Sequence, residues 1–287
     1  MRQAHRAAPS PWTTTRAYSW LVVPPALFLA LFFGWPIIRV VARSFTDPSL
    51  GLENYARILS SGLYLRVLLN TVETAAIVTV LCLVAGYPVA YALSQARGVP
   101  LQIMAALIVI PLWTSVVIRS YAWMILFQRR GILNDALMAS GWVSGRVQFI
   151  PGAFAVNVGM VHIMLPFMIL PLAAAMRGID RSLLRAAGVL GASDFAAFRK
   201  IFLPLSLPGV YAGTALVFML SLGFFITPAL LGGPEHLMAA VLIEQQANQL
   251  LDWGLASALA TLFLACTAVI YLVYVRVTGQ ARGEARG

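Results

Sequence analysis

Ala17–Ile38 reads AYSWLVVPPALFLALFFGWPII, 22 residues without a single Asp, Glu, Lys or Arg. A bilayer core roughly 30 Å thick is crossed by about 20 apolar residues of helix, so this stretch has the length and polarity of a transmembrane span. Backbone amides in lipid must be satisfied within the protein, which leaves a helix or a closed barrel. Barrel strands alternate inward and outward over about 10 residues, and the continuous apolar run Leu21–Phe33 does not alternate. The stretch is therefore read as a helix.

Five further windows share its character: Thr74–Ala96, Gly98–Ile118, Val147–Met176, Ile201–Pro234 and Trp253–Val275, of 23, 21, 30, 34 and 23 residues. The six together occupy 153 of the 287 residues and crowd all 30 formal charges into the other 134. Charged residues make up 10% of the chain, against about 25% in soluble domains. The expected fold class is an all-α integral membrane protein with six transmembrane helices. A soluble enzyme, a secreted disulfide scaffold and an outer-membrane barrel are excluded. Arg2, Arg6 and Arg16 precede the first run as in a signal peptide. Its length and the lack of a small-residue cleavage site favour an uncleaved span.

The net charge of +10 follows topology. With six spans both termini share a side. If that side is the cytoplasm, its segments hold 12 basic residues and three acids, against 8 basic and 7 acidic residues opposite. This is the positive-inside bias, and nucleic acid is not an expected partner. Cys82 and Cys266 lie inside apolar windows, where a thiol packs as a small hydrophobe. His5, His162 and His236 are scattered, with no metal spacing. The organisation is a tail at 1–18, a six-helix domain at 19–276 with a cytoplasmic loop at 177–204, and a tail at 277–287. Pro166 and Pro171 are expected to interrupt the fourth span. Gly209 and Gly213 permit close helix approach. The Ile201–Pro234 window is too long for one straight crossing and is expected to break near Pro228 and Gly232-Gly233, part of it re-entrant or interfacial.

The loop before the fifth span reads as two short helices around a glycine. Ser182–Leu190 is rich in Leu and Ala, strong helix formers. Gly191 suits a left-handed helix end, Ser193 or Asp194 suits the next cap, and Pro204 is expected to stop that second helix. Leu183, Ala187 and Leu190 form one apolar stripe, and Phe195, Phe198 and Phe202 another. Such a knuckle either lies on lipid headgroups or is covered by another protein.

The pattern Ala186-Ala187…Gly191-Ala192…Phe198…Ile201…Leu203-Pro204 resembles the EAA loop of inner-membrane permeases in binding-protein-dependent ABC importers. Asn54-Tyr55, Asn70-Thr71, Gly86-Tyr87-Pro88, the run Thr114–Met124, Gly131-Ile132-Leu133-Asn134 and the run Phe225–Gly233 are similar to the spermidine/putrescine branch. The resemblance spans roughly residues 50–275 and departs at one point: the family's glutamate is Arg185 here. It implies that Arg185, Ala186, Ala187, Leu190, Gly191, Ala192, Phe198, Leu203 and Pro204 form a coupling helix seated in a cytoplasmic ATPase. It also implies two ATPase copies that bind ATP and Mg, a second, related permease subunit, a periplasmic solute-binding protein and a bacterial inner-membrane location. The residues supply an independent half of this. A phosphate-binding P-loop needs Gly-x-x-x-x-Gly-Lys-Ser/Thr, and the sole lysine, Lys200, follows Arg199. No cofactor is expected in this chain, and it is not expected to be an enzyme.

Candidate pathway residues are Glu73, Trp113, Ser115, Arg119, Tyr121, Trp123, Phe225 and Pro228. Glu73 is the carboxylate closest to a membrane core. Such a group is a functional candidate by default, and it either attracts a cationic solute or pairs with Arg66 or Asn70 on its own helix face. Arg119 either closes an outer gate or snorkels to the interface. The aromatics either face a polyamine through cation–π contacts or pack. An ion-coupled transporter working without an ATPase is the alternative function; it calls for titratable midplane residues or repeated halves, and neither is evident.

Overall fold

The computed structural model describes residues 21–284, with side chains through Arg276. The tail expected at 1–18, with Trp20 beside it, lies outside these residues, as do the last three. Every regular element among the described residues is helical. Helix α1 (Leu21–Thr46) is continuous, with one widened turn at Ala30–Gly34. A short α2 (Glu53–Ser60) leads to α3 (Gly62–Gln95), whose first turn is capped by Ser61 Oγ accepting from Leu63 N. Two extended residues, Ala96 and Arg97, separate it from α4 (Gly98–Trp113), which is followed by α5 (Val116–Phe127) and α6 (Ile132–Ala139).

Helix α7 (Ala153–Arg177) is the centre of the bundle, with Met160, Ile163, Met168, Ile169 and Leu172 buried to within 2%. It packs between α3 and α9 (Asp194–Leu222). Lipid offers no hydrophobic drive for helices to associate, so close fit has to supply the attraction. The two glycines of α9 provide that fit. A Cβ built on Gly209 falls 2.6 Å from Ala175 Cβ, and one on Gly213 falls 2.8 Å from Met168 Sδ. The small-residue pattern is thus used inside the chain, against α7.

The windows correspond to five helices long and apolar enough to cross a bilayer, plus one bent pair that supplies a sixth crossing. Three expectations change. Pro166 and Pro171 do not interrupt α7; neighbouring helices hold it, and a proline then costs only a local bond. The third span is broken. Its apolar helix becomes 3-10 at Ile110–Trp113 around Pro111, Thr114 and Ser115 are extended, and the chain turns by 96°. The fifth span also breaks, at Gly223, ahead of Pro228. A short α10 (Ile226–Leu231), a 3-10 turn at Pro234–His236 and α11 (Ala239–Glu244) then lead to α12 (Trp253–Glu284). The last helix runs past residue 277, where a tail was expected.

Candidate functional site

The two-helix knuckle forms as the turn chemistry dictates. Helix α8 (Ser182–Val189) ends with Ala192 N donating to Ala187 O and Gly191 N to Gly188 O, at 3.0 Å each. That 6→1, 5→2 pairing is a Schellman ending and needs a left-handed residue; Gly191 has φ +85°. Ser193 supplies the next cap, its Oγ accepting from Ala196 N. At the entrance, Asp180 accepts from Ser182 N at 2.8 Å. Its hydrogen bonds to Ser182, with a smaller pull from Arg185, hold its carboxyl below the usual range.

Pro204 does not stop the second helix. Phe198–Phe202 is a π turn, and Leu203 N reaches back to Phe198 O. A widened turn relieves the clash of a proline ring with the preceding carbonyls, so α9 continues through Pro204 and Pro208 to Leu222. The cytoplasmic half-helix and the fifth span are one rod.

The apolar stripes divide between two surfaces. Phe198 and Phe202 stack at 5.7 Å and turn inward, edge-on to Tyr91 at 5.8 and 5.1 Å, with Phe198 also against Tyr87. Tyr87 Oη lies 2.9 Å from Ser206 Oγ. Phe198 is accordingly an anchor beneath the knuckle, and its expected place on the docking surface is corrected: Phe195 faces outward instead. Val189, Leu190, Phe195 and Leu183 are 89%, 87%, 71% and 46% exposed. Ala186, Gly191 and Pro204 are also exposed, with Arg185 beside them; Ala187, Ala192 and Leu203 are half-buried.

Two arginines fasten this knuckle to α3. The final carbonyls of a helix lack partners and carry its negative end. Arg177 Nη2 donates to Leu93 O at 3.1 Å, and Arg181 Nη2 to Ser94 O at 3.0 Å. Sequence reading had counted both only as topological charge. Their position facing the short turn after Gln95 was the available signal.

A second cluster lies about 22 Å along α7 from Arg177, at 1.5 Å per residue. Trp123 Nε1 donates to His162 Nδ1 at 3.1 Å and ties α5 to α7. Ser120 Oγ and Thr227 Oγ1 are 2.8 Å apart and join α5 to α10. Beside them Arg119 is 9% exposed, and its Nε and Nη1 meet no acceptor among the described residues. The structure therefore brings Arg119, Trp123, Phe225 and Pro228 to one region. Trp113, Ser115 and Tyr121 are exposed on or beyond the bend. Glu73 is exposed on α3 and pairs with neither Arg66 nor Asn70. Asn70 is occupied by Glu235 O at 2.9 Å, and Thr71 Oγ1 accepts from Ala239 N at 2.8 Å.

Two of the other sequence strings, at Asn54 and Asn134, prove to be loop staples. Asn54 Nδ2 donates to Asp47 O at 2.7 Å, and Asn134 exchanges two bonds with Val147 at 2.9 and 2.8 Å. Residues 84–281 match the model of the family described as binding-protein-dependent transport system inner membrane component. The chain belongs to this family. Among similar proteins are the spermidine/putrescine transport system permease proteins PotB of Haemophilus influenzae and Escherichia coli. The first is 33% identical over 92% of this chain and 92% of its own. The second is 34% identical over 90% and 94%. The fold is shared with a bacterial ABC transporter that imports the acidic polysaccharide alginate, at TM-score 0.71, 19% identity and coverage of 93% and 96%. The permease is thus a multi-pass inner-membrane subunit of an ABC importer, a transport component and not an enzyme.

Proposed function

We propose that this permease imports a small cationic solute of the polyamine type, received from a periplasmic binding protein and driven by two cytoplasmic ABC ATPases that bind ATP and Mg. A second, related permease subunit completes the pore, and both termini face the cytoplasm. The observation that carries the ATPase reading is the exposed apolar crown of Leu183, Val189, Leu190 and Phe195, on a knuckle fixed to α3 and continuous with α9. A solvated loop has no use for four such side chains; a protein groove does. The polyamine reading is supported by the similarity to the PotB proteins and by Glu73, an exposed carboxylate in a membrane helix with no ion pair among the described residues. A periplasmic protein accompanies the alginate transporter of the same fold, which supports that partner here. Arg119 with its unmet donors is assigned to the outer gate, together with Trp123 and Pro228.

The test is uptake of labelled spermidine by the intact transporter in proteoliposomes, with ATP hydrolysis recorded in parallel. Leu190→Asp places a charge in the docking groove. It is expected to reduce ATPase co-purification and uptake by about tenfold or more, the loss of a buried hot-spot contact. Full uptake by the variant, or uptake by the wild type without ATP, overturns the reading. Glu73→Gln is expected to lower uptake of a dication more than that of a neutral analogue, and equal effects remove Glu73 from the pathway.

A further inference from the structure

We infer that a furrow between α1 and α12 is a binding site for an anionic phospholipid. The furrow exists because α1 packs along α12 and stands away from the rest of the bundle; its apolar window contains no buried residue. Two cavities, of about 460 and 420 Å³, lie along this seam and share Val40, Ile243 and Ala260. The shared residues make them neighbours along the seam.

Its two ends differ in chemistry. At the end near Thr46 the wall carries Arg39, Arg43 and Trp253. Arg43 lies over the Trp253 ring at 5.0 Å and gives Nε to Asp47 at 2.9 Å, and its terminal nitrogens meet no acceptor among the described residues. Arg39 lies 5.9 Å over Trp35 and meets no carboxylate among the described residues. The next acid, Asp252, is taken by Arg57 at 3.0 Å. Arg39 and Arg43 against Asp47 thus leave one positive charge unmatched where the helix leaves the membrane, a depth at which phosphate headgroups sit. Below, the wall turns apolar: Pro36, Met219, Leu222, Phe263 and Leu264 line it, and Gly223 keeps it open.

The dimensions fit one lipid leaflet. From Thr46 to Pro36 is about 15 Å along α1, and from Trp253 to Thr267 about 21 Å along α12, at 1.5 Å per residue. One leaflet contributes half of a core roughly 30 Å thick. The basic mouth and the apolar slot together take up that depth, so a headgroup phosphate fits at the arginines and the upper part of an acyl chain fits below them; a free anion would leave the slot empty.

The experiment is native mass spectrometry of the full-length chain, purified in mild detergent with its accompanying subunits and supplied with phosphatidylglycerol or phosphatidylcholine. Wild type is expected to retain phosphatidylglycerol. Arg39→Gln with Arg43→Gln should reduce that retention on the order of tenfold or more, since each basic residue contributes to attraction of anionic lipid. Ala260→Phe, which keeps both arginines and fills the slot, should reduce it as well, and it tests the site should the first variant fail to fold. Equal retention of both lipids, or undiminished retention in Ala260→Phe, overturns the proposal. So does an equal thermal shift from inorganic phosphate, or a cysteine at Ala260 that crosslinks in membranes to another permease subunit.

Discussion

The knuckle end of the bundle and the Arg119 end are built on opposite plans. At the knuckle, hydrogen bonds and rings close on themselves: Arg177 and Arg181 cap α3, Phe198 and Phe202 lock onto Tyr91, and the rod passes straight into the membrane. Around Arg119, helices are broken at Thr114 and Gly223, hydroxyl meets hydroxyl across Ser120 and Thr227, and a guanidinium is left with unmet donors. A rigid end suits the reception of force. An incompletely satisfied end suits a gate, whose partners change as it opens.

The contrast can be broken most forcefully at Phe202. Phe202→Ala empties a site only 3% exposed, and such a truncation costs about 3–5 kcal/mol. A lowered melting temperature should accompany a raised ratio of ATP hydrolysed to solute moved; a stability loss with an unchanged ratio would leave the rigid end a merely structural feature. Arg119→Met is the converse. Replacing a buried charge that has no partner by an apolar side chain removes its desolvation cost, so thermal stability should hold or rise while uptake falls. A destabilised variant would reveal an acceptor and erase the contrast.

Smaller effects sharpen it. Gly191→Val forces a β-branched residue into left-handed backbone, at a cost of about 1–2 kcal/mol. Because nothing lies within 4 Å of a Cβ there, the expected loss is local: proteolysis at the knuckle rises and the global melting temperature barely moves. Arg181→Gln removes one charged cap, worth about 0.3–1 kcal/mol, and faster amide exchange at the end of α3 is its expected trace.

The two ends were also unequally legible in the sequence. Turn chemistry is local, so Gly191, Ser193 and the two short helices could be read from adjacent residues, and charge-free windows located the spans. The failures at Pro166, Pro171 and Pro204 share one cause: a proline's local penalty was read without the neighbouring helices or the widened turn that absorb it. Phe198 was assigned outward because helical spacing groups it with Phe195 and the family pattern includes it; it turns instead onto Tyr87 and Tyr91, which only the fold brings beside it. Around Arg119 the signal is absent in principle, since Ser120 and Thr227 are brought together only by tertiary packing.

The π turn at Phe198–Phe202 has one more consequence. An α-helix advances about 100° per residue at 3.6 residues per turn, and a π bulge accommodates one residue in excess. That single residue sets the phase between the crown at Phe195 and the membrane seam at Gly209 and Gly213. Deleting one residue there would leave every contact surface chemically intact, yet it would swing the crown by roughly a quarter turn relative to the seam. The relative facing of crown and seam is a matter of counting.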